Sequence, residues 1–329
     1  MRAPEFWQGN GGGLWPLLLS PVAAVYGATT ARRMRRPGWR APVPVICCGN
    51  ATAGGSGKTT VALDIGRRLS NRGIAVHFLL RGYGGTLRGP VRVDPAVHDS
   101  TAVGDEALLL AAERPAWVSA DRAAGARAAV AAGAQAIVMD DGLQNPTLEK
   151  DLSLLIVDGG YGFGNGRIIP AGPLREPVRD AAARSRAAVM IGPDETGAGA
   201  LLPPELPMLR AALKPGPEAE LLAGQPVFAF CGIGNPTKFF ATLAEAGLVL
   251  AGREAFADHY PYDEGDLRDL LAEAEALRAI PVTTRKDHVR IPPAFRSRVT
   301  AVTVRLEWAE PTQIESLLEP LAQRVPVPA

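Results

Sequence analysis

Continuous apolar runs alternate with amphipathic stretches along most of this chain. Runs at 43–48, 75–80, 136–139, 152–157 and 187–191 each have the length of a strand. They are almost wholly apolar, with only His77 and Ser153 as polar exceptions, so they predict a parallel sheet covered on both faces rather than one with a wet side. Helical spacing follows the first run to about residue 71 and recurs at 105–113 and 121–132. Strands alternating with helices predict an α/β protein. A proline-rich stretch, 203–217, interrupts the alternation and contains an extended segment at 208–213. Beyond it a second α/β pattern appears. Strands are expected at 227–231, 248–251, 281–284 and 299–306, with helices at 238–246, 263–278 and 311–321. Acidic residues open the 263–278 helix, where they favour the positive end of the helix dipole.

The first forty residues differ. An apolar stretch at 14–28 is followed by Arg32, Arg33, Arg35, Arg36 and Arg40. No basic segment precedes it, so it does not read as a secretory signal. Pro16 and Pro21 interrupt it, and it falls short of the roughly 20 residues of a membrane span. An apolar helix with Trp15, Tyr26 and a basic flank suits the membrane interface; an ordinary docking helix has the same pattern. The expected organisation is an interfacial helix and basic flank (1–40), a first domain (41–202), a connector (203–217) and a smaller α/β domain (218–329).

A length of 329 residues is ample for two buried cores. The net charge of +1 gives no basic excess, so nucleic acid is not an expected partner. Cys47, Cys48 and Cys231 lie in strand-like apolar runs and read as buried thiols in a reducing compartment.

The candidate chemistry begins after the first strand. Residues 52–60 read Thr52, Ala53, Gly54, Gly55, Ser56, Gly57, Lys58, Thr59, Thr60. A strand, a glycine-rich turn ending in Gly-Lys-Thr and a helix together make a P-loop, with Thr52 where the usual pattern has its first glycine. Glycines let successive N–H groups face phosphate oxygens. Lys58 would reach β/γ-phosphates, and the Thr59 hydroxyl would ligate Mg2+. Asp140 and Asp141 end a strand about 80 residues later, as a Walker B element does, though such a pair also occurs in plain turns.

Other groups are less specific by themselves. Asp105 within Gly104-Asp105-Glu106 also suits a helix start, and His259 lies in an apparent loop. An Asp and a His facing one another across a cleft would supply the proton acceptor that phosphoryl transfer to a hydroxyl needs. Arg81 and Tyr83 read either as a hairpin or as a substrate loop. Arg175 reads either as a turn residue or as a guanidinium for transferring phosphate.

Taken in order, these motifs resemble the tetraacyldisaccharide 4'-kinase family, the lipid A 4'-kinases of Gram-negative bacteria. The resemblance covers nearly the whole chain. It includes Tyr26-Gly27, Gly49-Asn50, the P-loop, Arg81-Gly82-Tyr83-Gly84, Gly104-Asp105-Glu106 and Asp140-Asp141-Gly142-Leu143-Gln144. It continues through Gly172-Pro173-Leu174-Arg175-Glu176, Phe230-Cys231-Gly232-Ile233-Gly234 and Asp258-His259-Tyr260. Thr52 is usual in this family. A real departure is Thr284-Arg285-Lys286-Asp287, where the family often reads Thr-Glu-Lys-Asp.

The resemblance implies a P-loop NTPase-like fold of two α/β/α sandwiches joined by a two-stranded linker, with the active site between them. It implies transfer of the ATP γ-phosphate to the 4'-hydroxyl of a tetraacylated glucosamine disaccharide 1-phosphate, with Mg2+, to give lipid IVA. The location implied is the cytoplasmic face of the inner membrane, held peripherally or monotopically. By the same resemblance Asp105 would be the base, paired with His259. Lys58 and Thr59 would serve phosphate and metal, and Asp140, Asp141 and Glu176 would join the metal cluster. Arg175 would steady transferring phosphate, and Arg81 and Tyr83 would contact the glycolipid head group. Two other readings fit parts of the pattern. One is a membrane-associated P-loop ATPase switch, whose signature lysine would stand where Ala53 does. The other is a soluble kinase of a small metabolite.

Overall fold

The computed structural model describes residues 4–9 and 13–325. The outermost parts of the first and last expected domains, 1–3, 10–12 and 326–329, lie outside the described residues. After α1 (Leu14–Met34) come β1 (Val45–Gly49), α2 (Lys58–Ser70), β2 (Val76–Leu80) and β3 (Val91–Arg92). Then follow α3 (Ser100–Val103), α4 (Asp105–Ala111), β4 (Ala116–Val118), α5 (Arg122–Ala131), β5 (Ala136–Asp140) and β6 (Leu152–Asp158). The first unit continues with α6 (Val178–Ala183), β7 (Ala187–Ile191) and β8 (Met208–Pro215). Next are α7 (Pro217–Leu221), β9 (Pro226–Cys231), α8 (Pro236–Glu245), β10 (Val249–Ala255), α9 (Glu264–Ala276) and β11 (Ile280–Thr284). The chain ends with α10 (Arg285–His288), α11 (Pro293–Arg296), β12 (Thr300–Val302), β13 (Val304–Trp308) and α12 (Pro311–Ala322).

Nine strands form the large sheet in the order β13-β8-β7-β6-β1-β5-β2-β4-β3. It is parallel except at its two edges, where β3 and β13 run antiparallel to their neighbours. Strand alternation divides its core in two. Ile46 and Cys48 face Val61, Ile65 and Leu69 of α2, together with Leu318 of α12. Val45 and Cys47 face the other way, toward Ala126 and Ala129 of α5. Both faces are thus covered, which explains the almost wholly apolar runs. The three cysteines are free and buried, as the sequence suggested.

The small sheet, β10-β9-β11-β12, is parallel throughout. Phe239, Phe240 and Leu243 of α8 cover one face, and Leu267, Leu270 and Leu271 of α9 cover the other. The molecule is therefore two α/β/α sandwiches.

The expected single strand at 299–306 is two strands in different sheets. The chain leaves the small sheet at Val302 and enters the large one at Val304. Thr303 marks the break: its carbonyl accepts from Gly216 N (2.8 Å) and its hydroxyl donates to Glu218 Oε2 (2.7 Å). The expected connector is likewise a strand. The first half of β8 pairs with β7, and its second half, beyond the end of β7, pairs with β13. That antiparallel ribbon is the two-stranded link between the sandwiches. Beyond it α12 returns to the large sheet, where Glu315 is paired with both Arg68 and Arg72 of α2.

α1 is longer than the apolar stretch suggested, at 21 residues. Pro16 lies in the first turn, where its missing N–H would have no partner in any case, so only Pro21 interrupts the helix. Arg32 and Arg33 extend it, placed where the negative helix end favours cations. By length and composition it is long and apolar enough to cross a membrane. Leu14, Trp15, Leu17, Leu18, Val22 and Val25 are all exposed. The helix meets the first sandwich at Gly27, where an added Cβ would come 2.9 Å from Ile168 Cδ1.

Candidate active site

The chemistry gathers at the carboxyl ends of β1, β2 and β5, where open parallel sheets hold ligands. β1 ends at Gly49, and the buried Asn50 opens the P-loop. Asn50 Nδ2 donates to Thr52 Oγ1 (3.1 Å), while its Oδ1 accepts from Lys58 Nζ (3.1 Å). Thr52 tolerates the position usually held by glycine because its backbone bridges antiparallel to Leu174 and needs no left-handed turn. Gly54 and Gly57 do need their freedom, with φ of 124° and 80°. Gly57 hands the chain to α2, so Lys58, Thr59 and Thr60 form its first turn. Lys58 is nearly buried and also donates to Gly54 O (3.4 Å), so its ammonium lies over the loop. Gly55 is exposed at the loop tip and Ala53 N donates to Pro173 O (2.8 Å). The buried Ser56 hydroxyl has no partner.

Asp140 ends β5 beside β1, and Thr59 Oγ1 donates to its Oδ2 (2.8 Å). Burial pushes the Asp140 carboxyl up to about 7; Glu106 adds to the rise, while Lys58 and Thr59 oppose it. Its Oδ1 is buried and unpartnered. Burial also acts on Asp141, but Lys58 and Arg175 outweigh it and hold that carboxyl below its ordinary value. Arg175 Nη1 lies 2.7 Å and Lys58 Nζ 3.9 Å from Asp141 Oδ1. Adjacent carboxylates are thus driven apart by their partners.

Glu176 is placed elsewhere than the expected metal group. Gln144 Nε2 donates to its Oε1 (2.8 Å), and Arg184 pairs with its Oε2. The same Gln144 amide reaches Asn50 O (2.8 Å), so buried Glu176 braces the start of the P-loop.

Asp105 begins α4 and is buried. Gly104 before it has a φ of 86°, and an added Cβ there would sit 2.4 Å from Tyr83 O. The Arg81–Tyr83 loop and the Asp105 turn therefore lie in direct backbone contact. His259 comes from the loop after β10 in the second sandwich, and its Nδ1 lies 2.9 Å from Asp105 Oδ2. Lys286 Nζ is 3.3 Å from His259 Nε2 and 3.7 Å from Asp105 Oδ2. An ammonium donates only, so Nε2 accepts and Nδ1 carries the proton toward Asp105. Burial would raise the Asp105 carboxyl, but the His259 hydrogen bond and the Lys286 and Arg290 charges prevail and lower it. Tyr83 is exposed, with its ring centroid 6.0 Å from that of His259. Arg81 is also exposed, one residue beyond β2.

Sequence reasoning missed several residues. Arg122 is buried, donates Nη1 to Ser119 O (2.6 Å) and leaves its Nε unpartnered. Burial lowers its pKa to about 10; Asp141 and Asp140 oppose that fall, while Arg81 adds to it. Arg290 is nearly buried and fixes the His259 loop from below. Its Nη2 donates to Gly232 O (2.8 Å) and Asp287 Oδ1 (2.6 Å), and its Nη1 to Tyr260 O (3.0 Å). Arg122 follows an Asp helix cap and Arg290 follows a basic run, so neither stands out from ordinary surface arginines in sequence.

Among the described residues no three His, Cys, Asp or Glu side chains form a ready cation cluster. The set Thr59, Asp140 and Asp141 nonetheless fits Mg2+, which keeps waters and phosphate oxygens in its shell and takes few protein ligands. The orphan Oδ1 of Asp140 is the atom whose need a cation would meet.

The family model described as Tetraacyldisaccharide-1-P 4'-kinase matches residues 15–323. A tetraacyldisaccharide 4'-kinase of Gluconacetobacter diazotrophicus is 59% identical over 320 residues, covering 97% of this chain and 98% of the relative. One from Rhodospirillum rubrum is 55% identical over 326 residues, covering 98% of each. The crystal structure of LpxK from Aquifex aeolicus in complex with ATP superposes with a TM-score of 0.75 at 24% identity. That likeness covers 94% of this chain and 99% of the other, and bears on the fold.

Proposed function

The chain belongs to the tetraacyldisaccharide-1-phosphate 4'-kinase family and acts as a kinase in lipid A biosynthesis; we propose that the site above transfers the ATP γ-phosphate to the 4'-hydroxyl of its glycolipid substrate, giving lipid IVA. The observation that carries the assignment of roles is the meeting of Asp105 and His259 across the two sandwiches.

Residues 52–60 wrap the nucleotide phosphates with backbone N–H groups, and the α2 dipole adds to the attraction. Lys58 leaves Asn50 and Gly54 for the β/γ-oxygens. Thr59, Asp140 and Asp141 would hold Mg2+, which would supply charge neutralisation at the phosphates. Arg175, now spent on Asp141, is near enough to share its guanidinium with transferring phosphate.

Asp105 is ionised at neutral pH and accepts the 4'-hydroxyl proton. Its lowered basicity is no handicap, since the transition state of phosphoryl transfer is loose and the proton moves late. His259 donates Nδ1–H to Asp105 and orients it, while Lys286 fixes the ring. Tyr83 and Arg81 flank the acceptor sugar. Because the dyad spans both sandwiches, it is complete only when they are closed, which limits loss of phosphate to water.

The exposed apolar face of α1 and its arginine-rich end suit the cytoplasmic face of the inner membrane. A substrate with four acyl chains stays in the bilayer at about 0.8 kcal/mol per buried methylene, so the enzyme works at its surface. The test supplies labelled ATP, Mg2+ and tetraacyldisaccharide 1-phosphate in mild detergent. Labelled lipid, lost in Lys58→Ala and Asp105→Ala, is the expected result. Phosphate release with unlabelled lipid would overturn the assignment.

A further inference from the structure

Lys286 spends one N–H group on the His259 ring and has two more to give. It stands on α10 in the second sandwich, with its side chain partly exposed. Among the described residues its Nζ has one hydrogen-bond partner, His259 Nε2 at 3.3 Å. Asp105 Oδ2 at 3.7 Å and Asp258 Oδ1 at 4.0 Å attract its charge but lie beyond hydrogen-bond length. An ammonium carries three donors, so two remain for another acceptor.

The charge of Asp105 does not need both of its cations. Arg290 Nε already stands 3.8 Å from Asp105 Oδ2, with both side chains buried. That guanidinium is committed all round. Its Nε donates to Lys286 O (3.3 Å), its Nη1 to Tyr260 O (3.0 Å), and its Nη2 to Gly232 O (2.8 Å) and Asp287 Oδ1 (2.6 Å). Arg290 is therefore the fixed counter-charge, and Lys286 is the cation able to serve a second anion.

The backbone beneath Lys286 is firmly held. Asp287, next in the chain and buried, accepts from Gly232 N (2.7 Å) and Tyr262 Oη (2.9 Å) as well as from Arg290. The His259 loop, the turn after β9 and α10 thus form one body within the second sandwich. Facing it, α4 packs against both α10 and α2, the helix that begins at Lys58. Glu106, beside Asp105, is near enough to Asp140 to raise its carboxyl, second only to burial. Lys286 and Asp105 therefore border the place where a phosphate held by Lys58 and Thr59 meets its acceptor. Resting on the kinase reading above, a hydroxyl that gives its proton to Asp105 lies about 3 Å from that carboxylate and about 3–3.5 Å from the phosphorus it attacks. A turn of the Lys286 side chain then brings its free N–H groups to the γ-oxygens.

We propose that Lys286 is a further catalytic residue, a cation carried in from the second sandwich that pairs with the γ-phosphoryl oxygens during transfer. The acceptor oxygen bonds to phosphorus as the bond from phosphorus to the β–γ bridging oxygen breaks. ADP keeps that electron pair, and Asp105 takes the hydroxyl proton. Lys286 gives up no proton; it meets charge on the γ-oxygens, the part an arginine finger plays in other phosphoryl transfers. Because it comes from the second sandwich, that charge arrives only on closure.

The test uses labelled ATP and tetraacyldisaccharide 1-phosphate in mild detergent, with thermal melts to check folding. Lys286→Met is expected to lower kcat about a hundredfold or more, with ADP affinity unchanged. Affinity for ADP with aluminium fluoride, which mimics the transferring phosphate, is expected to fall with kcat, because a transition-state contact is read by its analogue. The His259→Gln/Lys286→Met pair separates a phosphate role from a ring-holding one. It is expected to be roughly tenfold or more slower than His259→Gln alone, since groups acting on different atoms lose independently. A pair no slower than His259→Gln overturns the proposal, because Lys286 would then act only through the ring. So does a Lys286→Met enzyme with wild-type kcat, or one with unchanged affinity for ADP and aluminium fluoride. Lys286→Gln repeats the series if Lys286→Met melts early. A wild type that labels no lipid overturns the kinase reading itself, and the proposal with it.

Discussion

His259 Nδ1 stands 2.9 Å from Asp105 Oδ2, although the two residues lie 154 positions apart and in different sandwiches. The pair exists because two unrelated turns are fixed from below. Gly104 lets the Asp105 turn press against Tyr83 O, and His259 N donates to Gly232 O (3.0 Å) within the loop that Arg290 clamps. Asp105→Asn and His259→Gln should each lower kcat by about 10²–10⁴, the usual weight of a positioned proton acceptor, with ATP affinity unchanged. The double variant should lose little more than the worse single one. Fully multiplying losses in steady-state kinetics would show that the two act independently.

The nucleotide side should separate cleanly from the dyad. Thr59→Val removes a hydroxyl that now donates to Asp140. It should raise the Mg2+ concentration needed for half-maximal rate about tenfold or more, and excess chelator should abolish turnover of the wild type. Thermal melting should be almost unaffected in both cases. A Mg2+ dependence identical to wild type would remove Thr59 from the metal's shell.

Asp105 also carries a pH signature. Its folded-state pKa lies below the ordinary carboxylate value, so its ionised form contributes stability above the unfolded value of about 3.9. That contribution disappears as the pH falls through the lower folded value. Thermal melts of wild type and Asp105→Asn should therefore differ most near neutrality and converge as the pH drops below about 4. Curves that stay parallel across that window would mean that Lys286 and Arg290 do not stabilise the charge.

Arg285, at the start of α10 in the second sandwich, bridges to the first. Its Nη1 lies 2.8 Å from Glu113 Oε1, which also accepts from Arg67 (2.9 Å). These groups are partly exposed, so the contact is worth no more than about 1 kcal/mol. Arg285→Glu, which turns attraction into repulsion, should lower kcat/KM several-fold, and adding Glu113→Gln should recover part of the loss. Unaltered kinetics in Arg285→Glu would show that closure does not depend on this contact.

The apolar face of α1 gives a fifth expectation. Leu18→Glu with Val25→Glu places two charges on side chains now open to solvent. Cosedimentation with vesicles should fall steeply, while turnover on detergent-dispersed substrate should be retained. Undiminished vesicle binding would assign membrane attachment to another surface.

Much of this protein was legible in the chain. The P-loop could be read because phosphate cradling needs Gly54, Gly57, Lys58 and Thr59 close together in one short segment, and local order survives in sequence. The parallel sheets could be read because strands buried on both faces show as almost wholly apolar runs. The strand break at Thr303 could not: a chain that changes sheets keeps the same β pattern on either side, and only pairing with β8 reveals the change. The full extent of α1 was hidden because its final turns, which carry Arg32 and Arg33, are polar and fall outside the apolar pattern. Asp105 and His259 each read locally as a cap and a loop residue, and only the closed arrangement of two sandwiches makes them partners. The same holds for Glu176, which stands next to Arg175 in the chain yet turns to Gln144 and Arg184, and for Arg122, which is buried with a free N–H. Which side chains share a charge is decided by three-dimensional proximity, because electrostatic coupling depends on distance and burial, neither of which sequence spacing carries across a domain boundary.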